Sequence, residues 1–393
     1  MSAPLKGCRV LDLGIITAGA ATSALLADLG AEVIKIESQS YRDPFRDWKG
    51  AGEAEDARGF FRFTNRNKVG VSIELKQPEG REAFMRLVAQ SDIVLENFRR
   101  GVMARLNLDY PALSAVRPGI ILASISSQGE TGPDTNYVSF GTTLEAMSGL
   151  SWLTGYAGGE PVTSGRDLNY PDQVVAIFAA GMVLTAWRHR CRTGEGAHLD
   201  LSQRELTSFL VGEAFAASPP QSVRIGNADP GFALQECFRA NDGIWVALSV
   251  LPGQVATLDR LIGRQDETIE RSDAVRQWVA GVRSTDSVQA FSQVGLAAAQ
   301  VLDGPGVLAA WGTHWQAAVA RLDDGTLVKG FPFELEREPL AISRAAPKVG
   351  ADTQEVLQRI AGYTAGETKA LLAQKVIEET ERTPGISRTA KDV

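Results

Sequence analysis

Cys8-Arg-Val-Leu-Asp-Leu-Gly14, with Ala20 to Leu29 and then Glu32-Val-Ile-Lys-Ile36 behind it, decides the reading of the fold. The first stretch is a short apolar run stopped by glycine. The second carries apolar residues at helical spacing, and the third alternates as a strand does. Together they form a βαβ unit. The same plan recurs downstream, with Glu79 to Ala89 as helix, Ile93 to Leu95 as strand, Tyr110 to Val116 as helix and Ile120 to Ser124 as strand. Such alternation predicts an α/β domain built on a mostly parallel sheet with helices on both faces.

Further along, the run from Asp172 to about His189 predicts a fully buried helix, because Val174, Val175, Ile177, Phe178, Ala180, Met182 and Leu184 leave almost no polar face. Asp200-Leu-Ser202 opens another segment, continued by a helix from Arg204 to Phe215. The turn-rich stretch Ala217-Ser-Pro-Pro-Gln221 marks a domain boundary. Beyond it, Leu234 to Arg239 and Ile244 to Ser249 flank Asn241-Asp242-Gly243, where Asp-Gly supplies the positive φ of a tight hairpin. Helices over Gly253 to Ile262 and Asp286 to Ala299, and strands Ala318 to Leu322 and Leu327 to Gly330 meeting at Asp323 to Gly325, complete a smaller α+β domain. Phe331 to Val349 reads as irregular, Asp352 to Ala361 and Ala365 to Ile377 as helices, and Arg382 to Val393 as a polar, disordered end. The expected organisation is a large domain from 1–215 joined by 350–393, a linker at 216–228, a small domain at 229–330 and a return linker at 331–349.

With 393 residues, 44% of them hydrophobic, the chain has material for the cores of two or three domains. A formal net charge of −7, with Lys and Arg scattered, argues against nucleic-acid and membrane partners. No apolar run reaches the ~18 residues of a membrane span, and Met1-Ser-Ala-Pro-Leu-Lys-Gly7 lacks the build of a secretory signal. Cys8, Cys191 and Cys237 lie far apart and read as reduced packing residues of a cytoplasmic protein. His189, His198 and His314 show no ligand spacing, so no metal is expected.

Asn169-Tyr-Pro-Asp172 sets a carboxylate just inside a helix start, a position where Asp ordinarily caps free N–H groups or answers the helix dipole. A chemical reading comes from the motifs around it. In chain order these are Leu5-Lys-Gly-Cys-Arg-Val-Leu-Asp-Leu13, Ala18-Gly19, Leu29-Gly-Ala-Glu-Val-Ile-Lys-Ile-Glu37, Asn65-Arg-Asn-Lys68, Leu75-Lys-Gln-Pro-Glu-Gly80, Val94-Leu-Glu-Asn-Phe98 and Gly101-Val-Met103. Ser148-Gly149, Thr193-Gly-Glu-Gly196, Pro347-Lys-Val-Gly350 and Thr353-Gln-Glu-Val-Leu357 follow. Taken in this order, they resemble the class III CoA-transferase family, which includes formyl-CoA and carnitine CoA-transferases.

The resemblance implies a Rossmann-like large domain and an interlocked, ring-like homodimer. Coenzyme A would be a co-substrate, with no tightly bound cofactor, and the partners would be an acyl-CoA and a carboxylic acid, a dicarboxylate among the candidates. It makes Asp172 the nucleophile, held ionised by the helix dipole, and puts CoA contacts at Ile16, Ala18, Ile73, Lys76, Asn97, Phe98 and Arg105. Where some relatives have Arg after the second strand this chain has Ser38, so that phosphate contact would fall to Arg42 or Arg46. Phe140 and Gly141, the latter Glu in some relatives, are candidates for the acyl site. Arg166, beside Asp167, is a candidate for a second carboxylate.

Two rival readings are weaker. An α-methylacyl-CoA racemase needs an acid and a base on opposite faces of a carbon, and the run that supplies a histidine there is Val138-Ser-Phe-Gly-Thr-Thr-Leu144 here. An NAD site would use Glu37 on the ribose, but Gly14 and Gly19, separated by Ile-Ile-Thr-Ala, do not make the required G-x-G-x-x-G. A non-catalytic CoA-binding protein stays open as an alternative.

Overall fold

The computed structural model describes residues 3–47, 59–164, 169–216, 224–314, 319–322, 325, 327–330, 335–336 and 340–380. Its strands are β1 (Arg9–Asp12), β2 (Glu32–Glu37), β3 (Val69–Ile73), β4 (Ile93–Glu96), β5 (Ile121–Ser126), β6 (Ala197–Ser202), β7 (Leu234–Arg239), β8 (Trp245–Val250), β9 (Ala297–Gln300), β10 (Val319–Arg321), β11 (Leu327–Lys329) and β12 (Ile377–Glu378). The contacts divide the chain into two compact units, one of Met1–Leu150, Ser164–Gly212 and Ala317–Val393, the other of Ser151–Thr163 and Glu213–Gln316.

In the first unit the sheet runs β12-β3-β2-β1-β4-β5-β6, parallel throughout except for β12 against β3. Its strands alternate between two cores, as the period-2 geometry of a strand requires. Leu11, Ile34, Val94 and Leu122 face one core with Phe84 and Leu87 of helix Pro78–Ala89. Val10, Val33, Ile93, Ile121 and Ala123 face the other with Leu26 of helix Ala18–Asp28 and Val175, Ala179 and Val183 of helix Tyr170–Thr193. Each such fully buried Val, Leu, Ile or Phe contributes about 1.5–3 kcal/mol from burial.

The helix expected to be fully buried is buried on one stripe only. Val175, Ala176, Ala179, Ala180 and Val183 pack inward at helical spacing, whereas Ile177, 65% exposed, and Met182 lie on the opposite, apolar and open face of the single chain. Helix Arg204 to Phe215 is two pieces, Gln203–Phe209 and Gly212–Ala216. Near the C-terminus the helix stops at Ala373, Lys375 takes a φ of 57°, and the chain turns to add β12 to β3. The β10–β11 hairpin groups with this unit, beside helix Gly59–Asn65, where the smaller domain was expected to hold it. Cys8 is buried as expected, but Cys191 is exposed. No helix among the described residues is long and apolar enough to cross a membrane.

The second unit is an antiparallel sheet, β7-β8-β9, with helices Val255–Ile262, Arg271–Ala280 and Ser284–Gln293. Phe238, Val246, Leu248, Leu258, Val275, Val279 and Phe291 form its core. Gly243 has the positive φ, 84°, that the hairpin turn demands. The helix expected to run to Ala299 ends at Gln293, because Gly295 at φ 81° reverses the chain and Ala297–Gln300 pairs with β8 instead. Ser151–Thr163 belongs here through Gly226 N–H to Gly155 O at 2.9 Å and Asn227 Nδ2 to the Tyr156 hydroxyl at 3.0 Å. The stretch 217–221, Arg166 and Asp167, and the terminal 382–393 lie outside the described residues.

Candidate functional site

The order β3-β2-β1-β4-β5 reverses the direction of winding between β1 and β4, and a crevice opens at the carboxyl ends of strands at such a point. The turn Gly14 to Gly19 fills its lip. Asn97, just past β4, reaches across: its Oδ1 accepts from Ile15 N–H at 2.8 Å and its Nδ2 donates to Ile15 O at 3.1 Å. Asp12 Oδ1 accepts from Gly14 N–H at 2.8 Å, and Asp43 Oδ1 from Ile16 N–H at 3.2 Å. Ile16 holds a φ of 59°, a strained conformation for a β-branched residue. Gly19 is required, since a Cβ there would lie 2.6 Å from Asn97 Oδ1.

Buried ion pairs hold this turn from below. Lys68 Nζ meets Asp12 Oδ2 at 2.8 Å, Ala20 O at 2.8 Å and Asn65 Oδ1 at 2.9 Å. Lys35 Nζ meets Gly14 O at 2.7 Å and Asp43 Oδ2 at 3.2 Å, and Arg46 Nη2 meets Glu37 Oε2 at 2.7 Å. Burial alone would raise the Glu37 carboxyl, but Lys35 and Arg46 hold it down at about 2. Lys68 is lowered to about 8 by burial and Lys35, against the pull of Asp12. Charges this deep persist only when paired and hydrogen-bonded, as these are.

Asp172 stands beside the turn. Asn169, in the left-handed region at φ 45°, and Pro171 start its helix, and the carboxylate is partly buried. Gln203 Nε2 donates to Asp172 Oδ1 at 3.1 Å, and the Ala18 N–H lies near enough to favour the ionised carboxyl. Gln203 is only 7% exposed and is set at the end of β6, where Ser202 caps the next helix by accepting from Glu205 N–H at 3.3 Å. Burial pushes the Asp172 carboxyl up to about 6, against Gln203, its own N–H and Ala18 N–H. Asp172 was expected to be held ionised by the helix dipole; desolvation raises the carboxyl instead, to a value that still leaves it mostly ionised at neutral pH. Gly141 begins the helix Gly141–Met147, and a Cβ there would lie 3.2 Å from Asp172 Oδ2 and 2.9 Å from Asn169 Oδ1. In that helix the buried Glu145 accepts from the Ser164 N–H at 2.7 Å and from its hydroxyl.

Ile16, Ala18, Asn97 and Phe98 thus gather at the turn, and the helix of Asp172 packs against the helix that Ala18 begins. Phe98 sets its ring edge-on to Tyr41 at 5.4 Å. Ile73 does not join: its side chain, 1% exposed, belongs to the core. Lys76 and Arg105 are exposed, and Phe140 is open to solvent. Arg46 is corrected as a phosphate ligand, because it is buried against Glu37, stacks on Phe61 at 3.7 Å and donates to Pro347 O at 2.8 Å. The same pair occupies Glu37, which removes the acidic residue that an NAD site would need. Sequence reading missed Gln203 and the Asp12–Lys68 pair; Asp12 and Lys68 lay inside quoted motifs, and nothing local marked Gln203.

A parallel sheet that reverses its winding offers a ligand crevice at the carboxyl ends of its strands, and Asp172 stands beside it. A profile of CoA-transferase family III matches residues 5–353, and the chain belongs to that family. A probable CoA-transferase of Mycobacterium tuberculosis is 30% identical over 95% of this chain, a stretch covering 50% of that protein. The alpha subunit of a succinyl-CoA–L-malate CoA-transferase of Chloroflexus aurantiacus is 36% identical over 69% of the chain and 62% of its own length. The chain thus spans about half and just over three fifths of the length of those two relatives. A succinate–glutarate CoA-transferase of Agrobacterium fabrum is 30% identical over 91% of the chain and 96% of its own length. A CaiB/BaiF family protein of Brucella suis superposes with a TM-score of 0.82 at 26% identity, over 92% of this chain and all of that one.

Proposed function

We propose that the chain is a CoA-transferase that moves CoA from an acyl-CoA donor to a carboxylic acid, with Asp172 as nucleophile. Asp172 attacks the acyl carbonyl and expels CoA thiolate, giving a mixed anhydride. The thiolate attacks the aspartyl carbonyl, the donor acid leaves, and an aspartyl-CoA thioester remains. An acceptor carboxylate then runs the sequence backwards to give the new acyl-CoA. No external energy source is needed, because one thioester replaces another.

The observation that carries this reading is the half-buried Asp172 in the first turn of its helix, held by Gln203 Nε2 at 3.1 Å and bordered by Gly141, with burial raising its carboxyl to about 6. A nucleophile near neutral pKa is ionised at working pH yet reactive. Ile16, Ala18, Asn97 and Phe98 would line the CoA moiety, and Lys76, Arg105 and Arg42 its phosphates. Ile73 could contribute only its backbone. Relatives named for succinate, glutarate and malate make dicarboxylates the first acids to try. The open apolar stripe of Ile177 and Met182, with Phe178 edge-on to Phe209 at 6.0 Å, supports a second copy covering it in an interlocked homodimer.

Incubation with a panel of acyl-CoAs and hydroxylamine, followed by peptide mass spectrometry, tests the mechanism. A hydroxamate on Asp172 that Asp172→Ala abolishes is the expected result. CoA binding without any adduct, whatever the donor, would overturn it.

A further inference from the structure

Resting on that mechanism, we propose that Gln203 is a catalytic residue that assigns different work to the two oxygens of Asp172 and stabilises the oxyanion formed when CoA thiolate attacks. Gln203 Nε2 donates to Oδ1. Oδ2 takes no side-chain donor among the described hydrogen bonds and borders Gly141, where only the lack of a side chain leaves it uncrowded, since a Cβ there would lie 3.2 Å away. Oδ2 is therefore the attacking atom. It forms a bond to the acyl carbon, the C–S bond breaks, and the electron pair leaves on CoA sulfur.

In the anhydride Oδ2 is the bridge and Oδ1 the remaining carbonyl oxygen. When thiolate attacks Cγ, the carbonyl pair moves onto Oδ1, and collapse breaks Cγ–Oδ2 so that the donor acid departs with Oδ2. The thioester keeps Oδ1. Gln203 already lies 3.1 Å from the atom where negative charge develops, which is the geometry of a preorganised oxyanion donor. Its placement is fixed by burial, by the Ser202 cap and by Thr207 Oγ1 donating to Gln203 O at 2.7 Å. Helices Gly141–Met147, Tyr170–Thr193 and Gln203–Phe209 pack on one another around it.

Charged groups on the surrounding elements are engaged elsewhere. Asp28 pairs with Arg66, Glu145 is bonded to Ser164, Arg204 lies 2.6 Å from Asp134, and Lys329 donates to Gln173 Oε1 at 2.8 Å. The described influences on the Asp172 carboxyl are burial and hydrogen bonds, with no charged residue among them. Removing the Gln203 donor should then move the acid limb of the rate upward.

The test compares wild type, Gln203→Leu and the size-conserving Gln203→Glu by rapid quench with an acyl-CoA, intact mass and a pH–rate profile. Wild type should carry a CoA adduct on Asp172. Both variants should lose about 10²- to 10³-fold in turnover and shift the quenched species from CoA adduct toward acyl adduct, with the acid limb displaced to higher pH. A residue that only packs would not move that adduct ratio. Wild-type rates and ratios in a folded variant would overturn the role of Gln203; if Gln203→Leu melts early, Gln203→Glu decides. No adduct in wild type would instead overturn the aspartyl mechanism beneath it.

Discussion

Replacing Asp172 with asparagine should stabilise the protein, and by an amount that grows with pH. Burial lifts this carboxyl from 3.8 to about 6, so between those values the folded chain still holds a proton that the unfolded chain has released. Stability therefore falls as pH rises through that window, being fully present below it and lost above it. At about 1.36 kcal/mol per pKa unit the whole span is worth ~3 kcal/mol, nearly all of it lost by about pH 7.5 and ~1 kcal/mol of it by about pH 4.5. Asparagine does not titrate. Urea unfolding of both proteins at these two pH values and one protein concentration should show the variant's advantage growing by about 2 kcal/mol. Fixed differences in shape and donors between the two side chains cancel in that comparison. An advantage that stays constant with pH would refute the claim that burial raises this carboxyl. A gain in stability with loss of transfer is the pattern of a group held in an unfavourable state for its chemistry.

The rate of acyl transfer should fall below about pH 6 with a single-proton slope, as Asp172 protonates, and a profile flat to pH 4.5 would contradict that assignment. Gly141→Ala places a methyl 3.2 Å from Asp172 Oδ2 and 2.9 Å from Asn169 Oδ1, so steady-state kinetics should show kcat reduced by roughly 10- to 100-fold with KM little changed. Lys68→Met leaves Asp12 buried without its cation and should cost about 3–5 kcal/mol in denaturant unfolding, part of which Asp12→Leu in the same chain should restore.

The first βαβ unit was legible because its strands and helix carry separate periodicities and because Gly14 stops the strand. β3 was not. Its sequence, Val-Gly-Val-Ser-Ile, has a glycine in the interior that ordinarily weakens a strand, and the reason is remote in sequence: a Cβ on Gly70 would lie 2.5 Å from Lys348 O and 2.7 Å from Pro347 Cβ. Strand β12 is two residues long and exists only through its pairing with Ile73 and Ser72. In the same way Asp172 could be found from the order of motifs, whereas Gln203 could not, because a single glutamine after Ser202 has no periodicity and acquires meaning only when β6 delivers it 3.1 Å from a carboxylate.

The buried charged residues were the least legible, and for a reason that bears on function. Lys35, Arg46 and Lys68 are residue types that usually stay at the surface, yet all three are fully buried beneath the Gly14–Gly19 turn. Replacing such pairs with apolar residues is often neutral or stabilising, so stability alone does not account for them. What they add is direction. Lys35 takes Gly14 O, Lys68 takes Ala20 O, and Asp12 and Asp43 take the N–H groups of Gly14 and Ile16. Each of these contacts fixes a backbone group of the turn, which an apolar core cannot do. A strained Ile16 and a desolvated Asp172 each disfavour the folded state where they sit, and a frame of paired buried ions holds the backbone of the turn in one conformation. The Ala18 N–H, at the end of that turn, is one of the groups that favour the ionised Asp172. Weakening the frame should therefore loosen the site before it unfolds the domain.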